Sequence, residues 1–391
     1  INVSNRFIQS YLGFVKGEPF NSKVIGKYDD KLRGLGFVSI IRPTEVEFIP
    51  GKARVYTYIS GKPASQFSGL IGFSSGENGA SSLRFTGDLN LRLVNVFRQG
   101  ERNTIQWQAL GEGTQRVNIS SAWSYVLGSR MGFKSHFKLY RRDSTYININ
   151  PRIGADFFFS NGSSVGIAFD HRSSSTIAAN SSINIADFST NLYQVSFSSG
   201  IKNEDVFPIK TLWGSATLGV GTRSSNESTN ESSSIRSSVG EINAIVTTYR
   251  PLLYNNFVLH LQVQAEMIKS ISSTEKNLNF FDNELYRIGG INTLRGFNQE
   301  SILANAYGIG TFELQYRLQN VLNLYLFYDH AIVSYNFLSS SKNDWPYGVG
   351  FGFQLASLGG VLNLSYGLGK GMGEEMKFRN AKIHVGYIAS F

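Results

Sequence analysis

From Gln66 to Phe391 the chain is written in short segments whose apolar residues recur at every second position. In 257–267, Phe257, Leu259, Leu261, Val263 and Ala265 alternate with Val258, His260, Gln262, Gln264 and Glu266. In 131–142, Phe133, Phe137 and Leu139 alternate with Lys134, His136, Lys138 and Tyr140. In 311–318, Phe312, Leu314, Tyr316 and Leu318 alternate with Thr311, Glu313, Gln315 and Arg317. A period of two places one set on each face of a strand, so one face can meet lipid and the other a wet interior. Segments of about ten residues with that period are the mark of a transmembrane β-barrel. No run approaches the roughly 18 apolar residues of a membrane-spanning helix. A membrane protein written this way has to close its sheet, because lipid leaves no water for an open edge.

Composition agrees. Charged residues are 17% of the chain and hydrophobic ones 41%, with 40 Gly, 29 Phe and 19 Tyr but only 8 Pro and 4 Met. There is no cysteine, hence no disulfide framework or thiolate chemistry. The net charge of +9 (37 basic, 28 acidic residues) suits a basic interior and contact with anionic lipid head groups. No basic run or recognised nucleic-acid motif accompanies it, so nucleic acid is not expected as a partner. No signal peptide is visible. Since an outer-membrane protein needs one, the expectation is that residue 1 is not the precursor's first.

Sixteen such segments can be counted, starting near residues 66, 81, 101, 115, 131, 145, 164, 188, 210, 236, 256, 305, 321, 346, 360 and 378. Connections after even-numbered strands are mostly tight: 95–100, 128–130, 160–163, 251–255, 318–320 and 357–359. Those after odd-numbered strands are often long and polar: 175–187, 224–235, 272–304, 334–345 and 369–377. Short turns on one side and long loops on the other fit an outer-membrane barrel, and an even count puts both ends of the sheet on one side. A soluble sandwich or propeller would also use many strands, but no short repeat of the propeller kind is present. The fold class expected is all-β transmembrane: a sixteen-stranded antiparallel outer-membrane barrel over 66–391.

Residues 1–62 read differently. A short helix with Ser4 as its cap is expected over VSNRFIQSYLG, then a helix carrying Val24, Ile25, Tyr28, Leu32 and Leu35, ended near Gly34 or Gly36. A β-hairpin turning at Pro50-Gly51 follows. Helix, helix, strand, strand resembles a POTRA domain, the small α+β periplasmic module before many outer-membrane barrels, without its first strand. This marks 1–62 as a partial POTRA-like domain and puts the short turns in the periplasm.

The connection 272–304 is then the sixth extracellular loop, and it carries Leu294, Arg295, Gly296 and Phe297. Glu313 and Asp329 fall on the polar phase of the next two strands. This resembles the BamA/TamA/FhaC superfamily of outer-membrane assembly factors and translocases, whose sixth loop bears a [VI]-R-G-[FY] motif. The resemblance implies that the loop folds back into the lumen and that Arg295 pairs with Glu313 and Asp329. One departure concerns the residue two after the aspartate, usually Gly in the family and here Ala331, preceded by His330. A guanidinium has five donors and never loses its charge, so two carboxylates can hold it from two strands.

The chain ends KIHVGYIASF, with His384, Gly386, Ala389 and Phe391 at a spacing that resembles the β-signal read by the outer-membrane assembly machinery. The first strand is rich in Gly and Ser, including Gly69 and Gly72, and the last carries Gly386. Glycine weakens a strand interior, so this seam is expected to open more easily than others. Catalysis finds no support. His136, His171, His260, His330 and His384 are scattered over different strands with no metal-ligand spacing, and no GxSxG, P-loop or GxGxxG is placed between a strand and a helix. Glu266 and Glu313 read as lumen charges, and no cofactor or metal is expected.

The resemblance implies a non-enzymatic insertion or translocation factor in the bacterial outer membrane, with its N-terminal domain in the periplasm. Its partners would be unfolded outer-membrane or secreted polypeptides, membrane lipids and periplasmic accessory proteins, and its BamA/TamA branch uses a lateral gate. Three alternatives stay open. One is a two-partner-secretion transporter of the FhaC kind, the second a patatin-type autotransporter barrel with an upstream passenger, and the third a passive porin.

Overall fold

A computed structural model of the chain describes residues 3–75, 83–111, 113–177, 184–200, 207–226, 234–252, 256–271, 280–318, 321–337, 340–357 and 360–389. The N-terminal part contains α1 (Asn5–Leu12), α2 (Ser22–Ile25), α3 (Tyr28–Arg33), β1 (Val38–Ile49) and β2 (Lys52–Gly61). Then come β3 (Gln66–Ser75), β4 (Leu83–Val94), β5 (Arg102–Gly111), β6 (Thr114–Trp123), β7 (Met131–Arg142), β8 (Tyr146–Phe158) and β9 (Ser164–Thr176). These are followed by β10 (Asp187–Ser199), β11 (Thr211–Asn226), β12 (Ser234–Pro251), β13 (Phe257–Ser270), β14 (Tyr286–Ile288) and β15 (Ile302–Ala304). The last are β16 (Ala306–Leu318), β17 (Leu322–Phe337), β18 (Ser340–Asp344), β19 (Tyr347–Ser357), β20 (Gly360–Lys370) and β21 (Lys382–Ala389).

Apart from two small hairpins, β1–β2 and β14–β15, the strands form one large antiparallel sheet in which each lies beside its neighbour in the chain. β18 and β19 both pair with β17 and act as two pieces of one strand, so the described residues give sixteen strand positions. β21 is placed beside β3, so the strand order is that of a closed barrel. Among the described residues no helix is long and apolar enough to cross a membrane.

The alternation in the sequence becomes two faces. Phe133, Ile167, Leu218, Val263, Leu326 and Phe351 lie on the outer face and are exposed. Asp170, Gln194, Glu241, Glu313, Gln315 and Arg317 lie on the inner face and are buried. In water this would expose apolar surface all round the sheet, whereas hydrocarbon as solvent removes that cost.

Several expected boundaries move. The 334–345 loop is largely strand, with β17 running to Phe337 and β18 returning from Ser340, paired from Val333↔Asp344 to Phe337↔Ser340. The 224–235 loop shrinks in the same way, since β11 runs to Asn226 and β12 starts at Ser234. Phe378–Asn380 is a single 3-10 turn, and the last strand begins at Lys382. Helix 24–35 is broken: α2, capped by the Asn21 side chain, ends at Gly26, and α3 restarts at Tyr28. Ser4 makes no side-chain cap. Instead its N–H donates to the Arg98 carbonyl (2.9 Å) and its carbonyl accepts from Ile8 N–H (3.1 Å).

The N-terminal elements seat on the short-turn end of the sheet. Phe7, Ile8, Leu12, Tyr28, Leu32, Leu35 and Phe37 share a core with Val94, the last residue of β4, and Tyr125, in the connection after β6. Ser10 Oγ donates to the Gly128 carbonyl (2.6 Å) and Lys31 Nζ to the Ser160 carbonyl (2.8 Å). Phe7, only 4% exposed, is the hub of this core. Phe7→Ala is expected to cost about 3–5 kcal/mol, as for other buried Phe truncations. The expected readout is faster amide exchange across residues 5–61, with the sheet unaffected. Unchanged exchange there would refute this docking.

Candidate functional site

The connection between β13 and β16 turns back inside the sheet. Its described part, 280–305, carries the β14–β15 hairpin, and Leu294, Phe297, Ile288, Ile302 and Ala304 form an apolar cluster with Tyr307 and Ile309 of β16 and Ala331 and Val333 of β17. The burial of these residues places the loop against the inner wall. Ala331 is fully buried in this cluster. Its methyl thus packs where the family pattern has none, while His330 points outward and bonds Tyr328 (2.9 Å).

Arg295 sits at the centre. Its Nε and Nη2 donate to Asp329 Oδ2 and Oδ1 at 2.7 and 2.6 Å, a two-point clamp, and Nη1 donates to Glu313 Oε1 at 2.5 Å. Its main-chain N–H adds a fourth bond, to Asp329 Oδ2 (3.1 Å). The guanidinium lies 3.8 Å from the Phe327 ring centroid. Arg295, Glu313 and Asp329 are 6%, 8% and 0% exposed. Burial works against the cation, but Asp329 and Glu313 outweigh it and raise the Arg295 pKa further, so the charge is permanent. The other Glu313 oxygen accepts from Gln315 Nε2 (2.7 Å) and lies 3.0 Å from His260 Nδ1. His260 in turn stacks on Tyr249.

Gly296 has φ +89, a conformation most side chains avoid, and this lets the motif turn flat against the wall. The wall there is itself bare. Gly348 and Gly369 face the interior, and a Cβ on them would sit 1.9 Å from the Arg295 carbonyl oxygen and 2.6 Å from that of Gly296. The loop backbone therefore rests on sheet backbone, in a groove that glycine makes.

Further pairs hold the loop to the opposite wall. Arg223 of β11 clamps Glu284 (both bonds 2.6 Å), and Arg116 of β6 pairs with Glu300. Tyr286 donates to Glu241 (2.7 Å), which also takes Arg172 (2.8 Å). A polar cavity of about 440 Å³ lies between loop and wall, lined by Lys138, Arg152 and Glu266 among others. The sequence reading missed these pairs and the glycine groove. Glu284 and Glu300 were visible as acids in the loop, but their partners lie on strands far away in the chain.

The other expected residues do not join this cluster. Gly69 is on the outer face of β3, where it pairs with Leu89, and Gly72 pairs with Thr86. Gly386 pairs with Asn363 on the inner face, and Phe391 lies outside the described residues. Among the described residues no group of three or more His, Asp or Glu is arranged to hold a metal ion.

An antiparallel sheet in barrel order, apolar outside and charged inside, with an arginine-bearing loop clamped to its inner wall, defines a class of outer-membrane β-barrel. Residues 95–379 match the Omp85 superfamily domain, and the chain belongs to that superfamily. Among solved structures it resembles BamA from Haemophilus ducreyi lacking POTRA domains 1–3 (TM-score 0.54, 14% identity), covering 100% of this chain and 82% of that one. It also resembles CdiB from Acinetobacter baumannii (TM-score 0.64, 14% identity), covering 100% of this chain and 72% of that one. CdiB from Escherichia coli is similar (TM-score 0.64, 13% identity), covering 100% and 74%. At such identities these likenesses establish the fold alone. No curated protein sequence matches the chain.

Proposed function

We propose that the chain is a polypeptide-insertion barrel of the outer membrane, closed into sixteen strands, which assembles unfolded clients at the seam between β3 and β21 and performs no enzymatic chemistry. The observation that carries this is the Arg295 clamp. A porin has no use for an arginine held by two strands, whereas a superfamily member uses such a loop inside its barrel. Residues 1–62 act as a POTRA-like periplasmic module on this reading. β1 and β2 form a two-stranded sheet on which Ile41 and Phe48 stay exposed, a surface fit to take up a client strand by main-chain pairing. Membrane lipids border the outer face, and periplasmic accessory proteins would meet the same module.

The interior favours insertion over secretion through the lumen. Residues 280–305 fill it and are tied to walls on both sides, so a client crossing it would have to break several buried ion pairs. A seam costs less to open. Each net backbone hydrogen bond contributes only about 1 kcal/mol, and β21 spans just 8 residues. Paired cysteines near Ile71 and Val385, at facing positions, test the proposal. Oxidised protein is expected to lose client assembly and to regain it on reduction. Normal assembly by the locked protein would defeat the seam reading, and persistent secretion through the lumen would point to the transporter instead.

A further inference from the structure

Below Arg295 lies a cavity of about 210 Å³, and its lower boundary is not supplied by the 280–305 loop. It comes from Phe207 and Pro208, in the connection between β10 and β11. Phe207 is 7% exposed, so this piece of a turn lies inside the end of the sheet. Arg317 ties it there by its guanidinium. Arg317 Nη1 donates to the Phe207 carbonyl (2.7 Å) and Nη2 to the Pro208 carbonyl (2.8 Å).

Arg317 is 4% exposed, and among the described residues no carboxylate reaches it at ion-pair distance. A buried guanidinium served by two main-chain oxygens and one amide is an unusual arrangement, because burying a cation is costly without strong partners. The amide is the link upward. Arg317 Nη2 donates to Gln315 Oε1 (2.7 Å), Gln315 Nε2 to Glu313 Oε2 (2.7 Å), and Glu313 Oε1 accepts from Arg295 Nη1 (2.5 Å). Residues 313, 315 and 317 alternate along β16 and so share its inner face. One continuous chain of hydrogen bonds therefore runs from the loop arginine to the turn at the far end.

We infer that Phe207 and Pro208 form a floor to the barrel interior, and that Gln315 and Arg317 are positioning residues that tie this floor to the Arg295 clamp, so that releasing the clamp opens the floor. The electrostatics give the direction. Once Arg295 leaves, Glu313 is a buried carboxylate left with Gln315 and His260 as its partners, and Arg317 is the only arginine or lysine on β16. Arg317 turns toward Glu313 through the place of Gln315 and lets go of the two carbonyls. That the floor faces the periplasm rests on the proposed function; the tie itself does not.

The chain has no cysteine, so Asn363→Cys, on the wall of the cavity, is a clean reporter in the full-length protein in liposomes. Its labelling rate by a charged, membrane-impermeant maleimide supplied only from the side of the β10–β11 turn reads the floor. Arg317→Met keeps the stem and removes the donors, and is expected to raise the rate at least about tenfold, with Arg317→Lys between it and the parent. Arg295→Ala is expected to raise it similarly, and the double variant no further. In a Gln315→Leu background Arg295→Ala is expected to have no effect on the floor. Unchanged labelling in Arg317→Met, multiplying effects in the double variant, or opening by Arg295→Ala despite Gln315→Leu would each overturn the inference. Heat-modifiable migration on gels identifies folded barrels, and if Arg317→Met fails to fold the Gln315→Leu comparison decides alone. Client assembly is not measured, so failure of the functional reading leaves this test intact.

Discussion

Arg295→Ala is expected to give a barrel that still enters membranes but loses most of its client assembly, with a loop that proteases can reach. Removing the guanidinium leaves Asp329 and Glu313, 0% and 8% exposed, without the cation that clamps both. Breaking a buried pair in this way costs about 3–5 kcal/mol, a large part of any folded domain's margin. The sheet registers on either side do not depend on Arg295, so the cost falls on the loop's position. Arg295→Lys is expected to behave almost like the alanine variant, because one ammonium cannot clamp both Asp329 oxygens and reach Glu313 as well. The checks are the rate at which a test barrel becomes heat-stable in proteoliposomes and limited proteolysis within 280–305. Parental assembly from a loop shown to be released would remove the clamp from the mechanism.

Strands were legible where one face is apolar. Most starts read from alternation fall within two residues of the structure, because period two reports lipid on one side and water on the other. The reading failed where both faces are wet. Residues 334–344 and the facing ends of β11 and β12 are rich in Ser with some Asn, so no alternation marks them, yet main-chain pairing continues. Likewise nothing in the apolar spacing from Val24 to Leu35 signals the break after Gly26.

The site was legible as charges and not as shape. Arg295, Glu313 and Asp329 stood out because a motif and two polar-phase acids bring them together. The groove did not, since a glycine carries no sign of which face it occupies. Gly308 and Gly310 are on the outer face of β16, while Gly348 and Gly369 line the interior, and only the register separates them. His260 and Gln315 were read as lumen residues, and their bonds to Glu313 follow from neighbouring strands that the sequence does not align.

That distinction sets up a test with a built-in control. A methyl group at Gly348 would stand 1.9 Å from the Arg295 carbonyl oxygen, and one at Gly308 would meet nothing within 4 Å. Both residues lie in strands of the same sheet, Gly308 on its outer face and Gly348 on its inner face. Gly348→Ala must push the loop backbone off the wall, or bend β19, by more than an ångström. Overpacking of this kind costs about 1–3 kcal/mol, and here the strain falls on the residue that holds the clamp. Its side-chain bonds to Asp329 and Glu313, at 2.5–2.7 Å, have no slack to follow such a shift. Gly348→Ala is therefore expected to reproduce much of the Arg295→Ala loss in assembly and the exposure of 280–305 to proteases, with every charge still present. Gly308→Ala is expected to match the parent. Equal behaviour of the two alanine variants would show that the close seating of loop backbone on sheet backbone does not hold the loop, and that the ion pairs alone do.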